Sequence, residues 1–94
     1  IQLLMSLSAY VQFIPLKSKE PMSIIDIAIE CIKNSGLEHE VGPFGTSIEG
    51  ENSAVLKLIE ELLSQRICEE FLVNVQYHVG ASRLSNAEKV SKFR

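Results

Sequence analysis

The hydropathy of this chain switches repeatedly between a two-residue period and a helical one, and that alternation limits the folds open to it. From residue 2 to residue 14, Leu3, Met5, Leu7, Ala9, Val11 and Phe13 fall on one face, with Ser6, Ser8, Tyr10 and Gln12 on the other. Such alternation predicts a half-buried strand, which Pro15 should stop. Residues 17–21 read as a polar loop. Ser23 with Asp26 three positions later resembles a capping box opening a helix, and Gly36 should end it. Within that helix Ile24, Ile25, Ile27, Ala28, Ile29, Cys31 and Ile32 leave only Asp26, Glu30 and Lys33 as a thin polar stripe. A helix so apolar needs cover on more than one side, and a second subunit is a natural supplier.

Alternation returns from Leu37 to Val41, and Gly42-Pro43-Phe44-Gly45 reads as a turn. The stretch Gly45-Thr46-Ser47-Ile48-Glu49-Gly50-Glu51 follows, a short strand bounded by glycine with one acid, Glu49, in its middle. Strands tolerate glutamate poorly unless it faces water or a partner. Asn52 or Ser53 should cap a second helix, whose Val55, Leu58, Ile59, Leu62, Leu63 and Ile67 form an apolar stripe. Phe71 to Val79 predicts a fourth strand, with Val73, Val75, Tyr77 and Val79 on one side and Leu72, Asn74, Gln76 and His78 on the other. Ser85 with Glu88 again resembles a capping box, for a short C-terminal helix. The order β-α-β-β-α-β predicts an α+β, ferredoxin-like sandwich: a four-stranded antiparallel sheet carrying both main helices on one face.

Ninety-four residues make one domain, 1–94, and a chain this short buries only roughly 60–65% of its unfolded surface. The two cysteines, Cys31 and Cys68, sit in apolar helical patterns and read as buried free thiols, which suits a reducing cytoplasm. Ile1 to Leu7 lacks a basic leader and a cleavage site, so no signal peptide is expected. No apolar run reaches the ~18–20 residues of a membrane span. A net charge of −3 with three arginines argues against nucleic acid and mildly favours a neutral or cationic small ligand.

With the helices on one face, the other face should gather Ser6, Ser8, Tyr10 and Gln12 from the first strand and Asn74, Gln76 and His78 from the fourth, without these strands being neighbours along their whole length. If Ile48 points inward, Ser47 and Glu49 join them. These hydroxyls, amides, imidazole, phenol and carboxylate can hydrogen-bond a heterocycle. A wet polar face is also ordinary for an antiparallel sheet, and a second subunit could cover it. No catalytic residue is assigned: His39 reads as a surface histidine, and His78 near Glu49 serves as a base or simply as a donor. Two histidines and two cysteines scattered over several elements show no metal-ligand spacing, and Gly42, Gly45 and Gly50 form no phosphate loop.

Taken together, Glu40-Val41-Gly42-Pro43, Gly45 to Glu51, Val79-Gly80 and the closing Glu88-Lys89-Val90-Ser91-Lys92-Phe93-Arg94 resemble the thiamine-binding (YkoF-like) protein family over essentially the whole chain. The resemblance implies a ferredoxin-like subunit that forms dimers or tetramers by packing sheets face to face. It also implies non-enzymatic binding of thiamine or its hydroxymethylpyrimidine part, as ligand rather than cofactor. The Thr46 to Gly50 strand matches the family motif, with Glu49 as its acid. Adding the alternation argument, the candidate ligand-binding residues are Ser8, Tyr10, Thr46, Ser47, Glu49, Asn74 and His78. The alternative is a structural or regulatory homo-oligomer whose open sheet face binds protein.

Overall fold

The computed structural model describes residues 6–65 and 68–94, so the expectations placed on Leu3, Met5 and Ile67 lie outside the described residues. The elements run β1 (Ser6–Leu16), α1 (Pro21–Asn34), β2 (Glu38–Val41), β3 (Thr46–Glu51), α2 (Asn52–Leu63), β4 (Glu70–His78) and α3 (Asn86–Val90), closed by a 3-10 turn, Ser91–Phe93. The four strands form one antiparallel sheet in the order β2-β3-β1-β4, the ferredoxin-like arrangement.

Strand β1 continues through Pro15 rather than stopping there. Its last pair with β3 is Val11↔Thr46, whereas β4 accompanies it to Leu16↔Glu70, so Pro15 stands where one edge is already unpaired. A residue without an N–H is tolerated at such an edge. The same pairing runs from Ser8↔His78 onward, making β1 and β4 neighbours over most of their length, closer than the sequence suggested. Helix α1 begins with Pro21 in its first turn and not with a Ser23–Asp26 capping box; the Ser23 hydroxyl instead donates to Glu20 Oε2 at 3.4 Å. Proline at the first helical position is pre-set in φ and wastes no donor. Gly36 does end the helix, with φ +76°.

Leu7, Ala9 and Val11 of β1 and Ile48 of β3 meet Ala28 and Ile32 of α1 and Val55, Leu58, Ile59 and Leu62 of α2 in the core. Each large aliphatic side chain buried there stabilises the fold by about 1.5–3 kcal/mol. Phe13 and Phe71 stack across β1 and β4 with centroids 4.8 Å apart. Other expectations shift at the margins. Strand β4 ends at His78, leaving Val79 exposed, and Leu63 faces outward on α2. Both cysteines are free but half-buried. Ile27 remains exposed, so the apolar girth of α1 is only partly covered within one chain.

Candidate functional site

The register sets the polar face out in rows. Ser8 pairs with Glu49 on one side and His78 on the other; Tyr10 pairs with Ser47 and Gln76; Gln12 pairs with Asn74. Ile48 is fully buried on the opposite side, which turns Ser47 and Glu49 onto this face. Tyr10 leans over the glycine-bounded end of β3: a Cβ on Gly45 would lie 2.6 Å from Tyr10 Cζ and 2.8 Å from the Val11 carbonyl oxygen. Only glycine permits that approach.

The face is not open at the Glu49 end. After β4 the chain doubles back, and residues 80–94 fold across it as an arm. Arg83 Nη1 donates to Glu49 Oε2 at 2.5 Å, and Nη2 donates to Ser6 Oγ at 3.2 Å. The Asn86 backbone N–H donates to Glu49 Oε1 at 3.2 Å, its side-chain amide donates to the Ile48 carbonyl at 3.1 Å, and Ser8 Oγ donates to Glu49 Oε2 at 3.3 Å. The side chains of Arg83 and Glu49 retain only 6% and 13% of their exposure. Burial pushes the Glu49 carboxyl up, but the hydrogen bond from Arg83, the Asn86 N–H, the Arg83 charge and Ser8 outweigh it and hold it below its ordinary value. Arg83 Nε is buried and has no acceptor among the described residues. The arm's helix α3 is opened by the expected capping box: Glu88 N–H donates to Ser85 Oγ and Ser85 N–H to Glu88 Oε1. Lys89 Nζ donates to His78 Nδ1 at 2.5 Å.

The seven candidate residues therefore divide. Ser8, Tyr10, Ser47 and His78 line one cavity of about 350 Å³ beside Gln76 and Lys89. Glu49 adjoins them, but both its oxygens are engaged by the arm. Asn74 lies farther along the sheet, donating to Gln12 Oε1 at 3.5 Å. Thr46 has the parity of Ile48 and faces the helices, where it lines a separate cavity of about 360 Å³ between α1 and the β2–β3 turn. Arg83, Asn86 and Lys89 were not singled out in the sequence. One signal for Arg83 existed: an acid fixed mid-strand needs a cation, and the chain has three arginines. Burial and then Glu61 raise the Cys31 thiol above its ordinary value, which suits a packed thiol rather than a nucleophile. Among the described residues no group of three or more His, Cys, Asp or Glu could hold a metal ion, and no helix is long and apolar enough to cross a membrane.

Residues 9–92 match the family described as thiamine-binding protein. The chain belongs to the thiamine-binding protein family. It is 33% identical over 78 residues to a UPF0045 protein of Clostridium perfringens, an overlap that takes in 76% of this chain and 78% of that one. A crystal structure from Thermotoga maritima, provisionally described as a thiamine biosynthesis/salvage protein, superposes with a TM-score of 0.86 at 28% identity, covering 95% of this chain and 99% of its own. A Bacillus cereus domain of unknown function superposes with a TM-score of 0.85 at 27% identity, over 100% of this chain and 95% of its own.

Proposed function

We propose that this chain binds thiamine or its hydroxymethylpyrimidine part without transforming it, as a cytoplasmic carrier or sensor. The observation that carries this reading is the family match over residues 9–92. The provisional role of the Thermotoga maritima relative in thiamine biosynthesis or salvage supports the same ligand class. The working unit in this reading is a homo-oligomer, dimer or tetramer, built by covering the sheet face. That face supports it: beyond the arm, the cross-strand pair Ile14↔Leu72 is exposed. Apolar groups grouped in this way favour a partner surface over water.

Native mass spectrometry of the protein isolated from cells tests both parts together. A dimer or tetramer retaining thiamine or its pyrimidine supports the proposal, whereas a ligand-free monomer that takes up neither compound contradicts it. The same exposed Ile14–Leu72 pair favours a second reading, a structural or regulatory oligomer whose sheet face binds protein with no small ligand. Assembly that is unchanged by thiamine at millimolar concentration would select that reading.

A further inference from the structure

The C-terminal arm is fastened to the sheet by polar contacts rather than by a share of the core. Residues 80–94 add no side chain to the core cluster, neither α3 nor the closing 3-10 turn contains a buried residue, and Leu84 and Phe93 are exposed. What holds the arm is Arg83 on Glu49 and Ser6, Asn86 on Glu49 and the Ile48 carbonyl, Lys89 on His78, and Arg94 on Glu40. Segments with so little apolar burial lie at the low end of a protein's local stabilities. The central fastening also carries a cost. The Arg83 side chain is more than nine-tenths buried, yet its Nε has no acceptor among the described residues. A buried donor without a partner loses its hydration and gains nothing in return. Opening the arm returns Arg83 and Glu49 to water together, so the hydration of both charges offsets the loss of their pairing.

We infer that residues 80–94 open as a unit about Val79 and Gly80, and that Arg83 is an internal competitor for the Glu49 carboxylate. In the closed state Arg83 and the Asn86 N–H occupy both carboxylate oxygens. The arm also stands between two cavities. Asn86 and Val90 line the one of about 350 Å³ beside Tyr10 and His78, and also one of about 600 Å³ beside Glu38, His39 and Glu40 of β2. Opening removes this shared wall and bares Glu49, together with the Ser8 hydroxyl bonded to it. The hinge lies just past Ser8↔His78, the pair that ends the β1–β4 ladder, so the sheet keeps its register while the arm moves. A cationic group that pairs with Glu49 must hold the arm open, and its apparent affinity falls by the fraction of chains that are closed. The inference does not depend on what that cation is.

The test follows two readouts on the full chain as urea is raised below the unfolding transition. One is amide hydrogen exchange, residue by residue; the other is labelling of carboxylates with a water-soluble carbodiimide and glycine ethyl ester, read by mass spectrometry. Local opening exposes little surface, so amides of residues 83–90 should exchange faster than those of β1 and α2 and respond weakly to urea. Glu49 should be labelled with the same weak urea dependence. Asn86→Ala removes the bond to the Ile48 carbonyl and should raise arm exchange and Glu49 labelling by one common factor of about 5, the worth of a neutral hydrogen bond. Lys89→Gln, at an exposed position, provides a second variant in which the two rates should again rise together. Arm amides that exchange only as slowly, and with as steep a urea dependence, as β1 and α2 overturn the inference. So does Glu49 labelling that keeps the urea dependence of the core, or that stays unchanged while a variant speeds arm exchange. Either failure leaves the proposed function standing, because neither readout contains a ligand.

Discussion

Glu49 occupies the middle of a strand because Arg83 reaches back from beyond β4 to neutralise it in a site where both are largely buried. Removing one member leaves an uncompensated buried charge, so Glu49→Gln should destabilise the fold by about 3 kcal/mol, read from urea unfolding near neutral pH. Replacing the pair together, Glu49→Met with Arg83→Met, should recover most of that loss. The pH dependence has a defined sign. The folded carboxyl lies below its ordinary value of 4.5, so its contribution is present above that value and is lost as pH falls through the folded value. Wild type should therefore lose stability below about pH 4.5 more steeply than Glu49→Gln. At Gly45 the constraint is steric. A methyl group there would meet the Tyr10 ring and the Val11 carbonyl oxygen, so Gly45→Ala should cost about 1–3 kcal/mol.

Among the elements, those with sustained periodicity are the ones that local pattern defines best. The parity of Ile48 sets the facing of β3, and the stripe Val55–Leu58–Ile59–Leu62 sets that of α2; both were readable because burial on one face leaves a repeating mark. Leu58→Ala should cost about 2–5 kcal/mol in the same unfolding assay. The helix start at Pro21 and the passage of β1 through Pro15 were less legible. Each depends on whether an N–H would have had a partner, and neighbouring strands decide that rather than the residues themselves. The capping box of α3 is the local exception, since Ser85 and Glu88 satisfy each other's donors within four residues. Ser85→Ala should loosen α3 by about 1 kcal/mol, seen as faster amide exchange over Asn86–Val90.

At the scale of the molecule, the arm decides what the sheet face can do. Alternation brought Ser8, Tyr10, Ser47, Glu49 and His78 onto one surface, but nothing periodic marks a single arginine or a five-residue helix that folds back over them. Tertiary packing thus places the acid that looked like a ligand anchor in an internal ion pair. Thr46 was grouped with Ser47 and Glu49 on β3, and only its parity reveals that it faces the helices. Thiamine binding is the function proposed from the family match, and isothermal titration of the assembled protein with thiamine and with hydroxymethylpyrimidine measures it directly. Saturable heat with a stoichiometry of no more than one ligand per chain is expected; an absence of heat at millimolar concentrations of both compounds would contradict it.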